Sequence, residues 1–185
     1  AVLSRGYKRK SRGFQVVEVD SKVRDAGDEP LQIKKKFPSV LVVVDKNRVN
    51  AIEKMLTFDK NKRPDVVLLD DGFQHRSVLP SMSVLLVDSN RPVYEDKLLP
   101  PGLLREAIKG KHSASLGLVT TCHPARQPID FRIYSNCLDL FPFQSLFFTS
   151  LDYDEVKPVF PVLNSEELFL NNILKKHIFL VTGIA

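Results

Sequence analysis

Five short runs of apolar, largely β-branched residues recur along the chain, at 40–45, 65–71, 83–88, 116–122 and 178–184. They are continuous in hydrophobicity instead of alternating, which is the signature of strands covered on both faces. Between them lie stretches with helical character. Residues 29–37 carry Pro30 in a first turn behind an Asp28 cap, and residues 47–56 place Val49, Ile52 and Leu56 at helical spacing. Strand and helix in alternation predict an α/β fold built on a doubly wound parallel sheet.

From about residue 130 the texture changes. Residues 131–134, 145–153 and 157–162 are aromatic, alternating and interrupted by Pro142, Pro158 and Pro161, which predicts an extended or hairpin-like connector. A further helix is expected over 165–176, capped by Asn164, with Glu166 and Glu167 at its start and Lys175 and Lys176 at its end. The expected division is therefore residues 1–129 as one α/β domain, 130–163 as an extended connector, and 164–185 as the start of a second α/β domain.

Composition narrows the class. With 185 residues and 43% hydrophobic content the chain can bury a core, and no apolar run approaches the roughly 20 residues of a membrane-spanning helix. The expectation is a soluble or at most peripheral protein. Cys122 and Cys137 fit neither a disulfide framework nor a metal-ligand spacing, which favours reduced thiols. The net charge of +5 is concentrated in Arg5, Lys8, Arg9, Lys10 and Arg12, a cluster suited to a phosphate-bearing or anionic partner, or simply to a solvated loop.

Four segments carry chemistry. In residues 66–76, four apolar residues run into Asp70 and Asp71, followed by Gly72, Phe73, Gln74, His75 and Arg76. Carboxylates at the carboxyl end of a strand stand where open α/β folds bind ligands, and hard oxygen donors there suit Mg²⁺ on phosphates. Turn capping is the plainer reading of the pair. In Gly27, Asp28, Glu29 and Pro30, the acids suit a helix start, and Asp28 could also orient or abstract a hydroxyl proton. Residues 98–106 join a Pro/Gly turn to Arg105 and Glu106, which could clamp a phosphate and join a metal shell, or form a surface ion pair. Residues 4–10 set Tyr7 in a basic loop that could meet nucleic acid or an anionic glycolipid.

In this order, LSRGYKRK (3–10), GDEPLQIKKKFP (27–38), LLDDGFQHR (68–76) and LLPPGLLRE (98–106) resemble the tetraacyldisaccharide 4'-kinase family of lipid A biosynthesis. The similarity continues through PIDFRI (128–133), SLFFTS (145–150) and LVTGIA (180–185), and is especially close to members from Bacteroidetes-type bacteria. The resemblance implies two Rossmann-like α/β/α domains joined by a β-hairpin. It also implies ATP and Mg²⁺ as cofactors and transfer to the 4'-hydroxyl of tetraacyldisaccharide 1-phosphate at the cytoplasmic face of the bacterial inner membrane, with no nucleic acid as partner.

By the same resemblance Asp28 matches an aspartate that acts in a dyad with a histidine of the second domain. Asp70 and Asp71 match Walker B-like acids near Mg²⁺, and Glu106 matches a metal-shell glutamate. Arg105 and Tyr7, with Arg5 beside it, match the lipid headgroup region, while Gln74 and His75 belong to the same motif. Two of the family's parts are expected outside residues 1–185: the glycine-rich phosphate loop before Ala1 and the dyad histidine after Ala185. This stretch alone is accordingly expected to be inactive. Thr120, Thr121, Cys122 and His123 depart from the Thr-Lys-Cys-Pro of relatives, on the nucleotide side. The competing reading from residues alone is a basic module that binds nucleic acid or anionic membranes without catalysis.

Overall fold

The computed structural model describes residues 1–104, 107–152 and 177. The expected helix over 165–176, the strand over 178–184 and the aromatic stretch 157–162 lie outside the described residues. The described chain divides into two compact units. One comprises Ala1–Leu85, Lys109–Gly117 and Phe141–Ser145; the other comprises Leu86–Ile108, Leu118–Leu140 and residues from Leu146 onward.

The first unit is organised by a four-stranded sheet. Strands β1 (Val2–Ser4), β2 (Gln15–Val17), β3 (Val42–Val44) and β4 (Leu68–Leu69) lie in the order β2-β3-β1-β4. β1 pairs in parallel with both β3 and β4, through Val2↔Val42 and Val2↔Leu68, and β2 closes the other edge antiparallel to β3. The sheet is thus parallel at its centre with an antiparallel edge strand that the apolar runs did not announce.

Helices cover it on both faces, which explains the uninterrupted valines of β3. α1 (Val23–Ala26) and α2 (Asp28–Lys36) give Ala26 and Leu31 to a core with Val17, Val42 and Val44. α3 (Arg48–Leu56) gives Ala51 and Met55 to the opposite core with Leu3 and Val43. Alternate side chains of one strand therefore enter two different cores, and all three β3 valines are fully buried. Each such side chain contributes roughly 1.5–3 kcal/mol relative to exposure.

Two expectations about covering and capping change here. β4 was expected to be buried, yet Val66 is 64% and Leu68 62% exposed. Val67 and Leu69 pack against the α3-side core, while the α1/α2 side has no cover at this edge strand among the described residues. The N-cap of α2 is Gly27, with Asp28 already helical. Gly27 sits at φ +93°, a region closed to most side chains, and a Cβ there would come within 3.3 Å of Gly6 Cα. α3 follows the expected helical stretch over 47–56, and the Asn47 side chain caps it by accepting from Asn50 N at 3.1 Å.

A three-stranded sheet has the order β5-β6-β7, with β5 (Val84–Asp88), β6 (Leu116–Thr120) and β7 (Ser145–Phe148). Residues 131–134, expected to be extended, lie inside helix α4 (Pro128–Leu138). The reason is local: Gln127 and Asp130 form a reciprocal capping box and Pro128 pre-sets the first turn. Tyr134 and Leu138 then fall one turn apart on the buried face. Among the described residues no helix is long and apolar enough to cross a membrane, and both cysteines are free, Cys122 buried and Cys137 exposed.

Candidate active site

Because β1, β3 and β4 run parallel, their carboxyl ends emerge on one edge of the sheet. That edge collects Arg5 after β1, Asp45 after β3, and Asp70 and Asp71 after β4. Two backbone bonds hold the exits level: Asp45 N donates to Ser4 O at 3.1 Å, and Asp70 N to Leu3 O at 3.0 Å. The chain leaves β1 for strands on opposite sides of it, so this edge is a topological switch point, where α/β sheets bind ligands.

The loop after β1 carries Arg5, Gly6 and Tyr7. Gly6 adopts φ +66°, and its backbone abuts that of Gly27, so the glycine-to-glycine approach brings the start of α2 beside this loop. Asp28 is exposed there, its Oδ1 accepting from Glu29 N at 3.0 Å. Tyr7 is 69% exposed, with Lys8 Nζ 5.2 Å from its ring centroid. Arg9 is held within the loop by donating to Ser11 Oγ at 3.1 Å and to Gly13 O.

After β4 the chain turns sharply, and the residue that turns it is Asp71, at φ +47°. A non-glycine residue in the left-handed region is uncommon, although Asp is among the side chains that tolerate it. Gly72 serves the turn through its lack of a side chain, since a Cβ on it would lie 2.7 Å from Leu69 Cβ. His75 N then donates to Gly72 O at 2.9 Å, leaving His75 partly buried and Gln74 exposed in the following turn.

The floor of the edge depends on Arg48, which the sequence analysis did not single out. Its guanidinium, on the first residue of α3, donates from Nη1 to Asp45 O and from Nη2 to Asp70 O, both at 2.9 Å. One buried side chain thereby ties the exits of β3 and β4. Burial pulls its pKa below the ordinary arginine value and Arg5 adds to that, while Asp70, Asp71 and Asp45 oppose it. Asp45 was also missed. It is buried, accepting from Asn47 N at 2.9 Å and Asn50 Nδ2 at 2.7 Å. The signal was present, since VVVD ends as LLDD does, with a carboxylate at the close of an apolar run.

Arg105 and Glu106 lie outside the described residues. The turn before them is tightly closed: Leu99 N donates to Leu104 O and Leu104 N to Lys97 O, each at 3.0 Å. Gly102 is obligatory, because a Cβ would lie 2.0 Å from Lys97 O. In the second unit, Asp88 at the end of β5 accepts from Asn90 N at 3.0 Å and from Thr121 Oγ1, with Thr121 at φ +57° after β6.

Among the described residues no three acidic, histidine or cysteine side chains converge as a metal cage. The two carboxylates after β4 nevertheless suit Mg²⁺, which keeps waters and is held by one or two protein carboxylates together with substrate phosphates.

A family profile described as tetraacyldisaccharide-1-P 4'-kinase matches residues 1–159. A tetraacyldisaccharide 4'-kinase of Bacteroides thetaiotaomicron is 48% identical over 191 residues, covering all of this chain and 50% of the relative. The enzymes of that name from Parabacteroides distasonis and Flavobacterium johnsoniae are 45% and 40% identical, covering 100% and 83% of this chain. The chain spans about half the length of the curated relatives it matches. No solved structure matches it.

Proposed function

The chain belongs to the tetraacyldisaccharide-1-P 4'-kinase family, and from that premise we propose that the complete protein carrying it transfers the γ-phosphoryl group of ATP to the 4'-hydroxyl of a tetraacyldisaccharide 1-phosphate. The observation that carries this reading is the single sheet edge on which Arg5, Asp70 and Asp71 emerge, with the start of α2 drawn against it by the Gly6 and Gly27 contact.

Phosphoryl transfer to an alcohol needs a group to orient the hydroxyl and take its proton, and oxygen donors for the cation on the phosphates. Asp28 is the proposed proton acceptor: it is exposed, and it stands on the side of the edge opened by the two glycines. Asp70 and Asp71 are the proposed holders of Mg²⁺; Glu106, outside the described residues, is proposed as a metal ligand on the family resemblance alone. When bound, the cation offsets charge on the transferring phosphoryl group. Arg5, Tyr7 and Arg105 are assigned to the lipid headgroup, where a cation and an aromatic face suit an anionic glycolipid. Gln74 and His75 border the same edge in the turn behind Asp71. The proposed place of this transfer is the cytoplasmic face of the inner membrane, as the family resemblance implies.

The test is ATP-dependent phosphorylation of tetraacyldisaccharide 1-phosphate by the complete protein, comparing wild type with Asp28→Ala and Asp71→Ala. Loss of transfer in both variants with thermal unfolding preserved is the expected result. A wild-type protein that binds ATP and leaves this lipid untouched would overturn the reading.

A further inference from the structure

Beside Asp28 the surface of α2 opens into a groove of about 480 Å³, lined by Val23, Asp28, Leu31, Gln32, Lys35 and Lys36. We infer that this groove receives the disaccharide 1-phosphate end of the lipid, with Lys35 and Lys36 on its phosphate while the sugar at the other end presents its hydroxyl to Asp28. The inference rests on the function proposed above and assigns it a substrate subsite.

The groove follows from helix geometry. Positions 28, 31, 32, 35 and 36 of α2 recur at helical spacing and form one stripe. Along it Asp28 and Lys35 are seven residues apart, an axial rise of about 10 Å. Two linked pyranose rings reach over such a span, separating a hydroxyl at one end from a phosphate at the other. The chemistry of the stripe changes in the matching order: carboxylate first, then buried Leu31 beside Val23, which is 55% exposed, then two cations. The exposed side chain of Val23 supplies the apolar surface of the groove, which suits a sugar face.

The three lysines that close α2 are not equivalent. Lys34 is buried and donates to Pro38 O at 3.0 Å and Val40 O at 3.1 Å, so it serves the fold. Lys35 and Lys36 are exposed. Lys36 Nζ lies 5.6 Å from the centroid of Phe37, and Lys35 has no hydrogen bond or ion pair among the described residues. Basic residues in a last turn are favoured by the helix dipole, and that effect does not require them to line a groove that begins at Asp28.

The complete protein tests this by steady-state kinetics with tetraacyldisaccharide 1-phosphate and ATP varied separately. In the Lys35→Ala/Lys36→Ala double variant the KM for the lipid should rise about tenfold or more, as expected when the charge-assisted hydrogen bonds of two lysines are lost. The kcat and the KM for ATP should be unchanged, and Lys35→Arg/Lys36→Arg should restore the lipid KM. Lys60→Ala/Lys62→Ala, on the exposed turn after α3, controls for general attraction of basic protein to anionic lipid. A lipid KM within about twofold of wild type in the Lys35/Lys36 variant, or an equal rise in the Lys60/Lys62 control, overturns the subsite. Absence of transfer by the wild type overturns the kinase reading instead, so the two failures are distinguishable.

Discussion

β3 and β4 are written almost alike, as Val42, Val43, Val44, Asp45 and as Val66 to Leu69 followed by Asp70 and Asp71, yet they end differently. β3 lies between neighbouring strands and between two helical layers, so all its valines are buried and Asp45 is buried with them. β4 is an edge strand covered on one face, and the turn beyond it leaves Asp71 exposed in a left-handed conformation. The same local pattern thus produces a carboxylate that organises backbone and one that faces outward. Neighbours, not the run itself, decide which. Both oxygens of Asp45 are taken up by Asn47 and Asn50, whereas the position of Asp70 is secured through its backbone, by Leu3 and Arg48. A backbone held by other groups leaves the Asp70 side chain available for chemistry.

Neutralising each carboxylate in the complete protein separates the two strands most clearly. Asp71→Asn keeps a side chain that tolerates φ +47°, so stability should hold while phosphoryl transfer falls on the order of a hundredfold or more, as when one preorganised charge-stabilising group is removed from a site. Asp45→Asn should do the reverse. It turns an amide NH₂ toward one of two donors and leaves a buried group unsatisfied, which costs roughly 1–3 kcal/mol in chemical denaturation, with transfer by the folded fraction largely kept. Equal kinetic loss in both would erase the distinction.

A second contrast concerns cover. Val43→Ala removes fully buried methyl groups from the α3-side core and should cost roughly 1–3 kcal/mol, methyl transfer and cavity together. Leu68→Ala acts on an exposed side chain and should stay within about 0.5 kcal/mol. A Leu68 cost as large as that of Val43 in the complete protein would mean that a segment outside the described residues packs on this face of β4, and the two strands would then be alike after all.

Much of this arrangement was legible in the residues. Continuous apolar runs predicted β3, β5 and β6, Asn47 predicted the start of α3, and the Asp70 and Asp71 pair pointed to a strand's carboxyl edge. What was not legible depended on partners distant in sequence. Arg48 reads as an ordinary first-turn residue until the backbone carbonyl of Asp70, 22 residues on, is seen accepting its hydrogen bond. The half-exposed state of β4 is a property of its place at the sheet edge, to which hydrophobicity along one strand is blind. The helix over Pro128–Leu138 was hidden for a different reason. Its aromatic residues suggested a strand, but Gln127, Pro128 and Asp130 supply a start signal that outweighs propensity.

The end of β5 offers a third carboxylate to set beside the first two, with the smallest expected effect. Asp88 is exposed, as Asp71 is, and accepts hydrogen bonds from Asn90 and Thr121. Donation from Thr121 Oγ1, then from Asn90, holds its pKa below the usual aspartate value. A carboxylate whose folded pKa is depressed contributes stability that is complete above its unfolded value of about 3.9 and is lost as pH falls through the folded one. Wild-type stability should therefore decline below about pH 4, and Asp88→Asn should flatten that decline while changing little at about pH 7. The flattening should be partial. Asp96 also has a lowered pKa: burial pushes it up, and N–H donation from Lys97 and Leu103 with the Arg91 charge outweighs that. Urea midpoints at about pH 5 and pH 3 measure the difference. Identical acid slopes in wild type and variant would mean that the Thr121 contact does not hold Asp88 ionised.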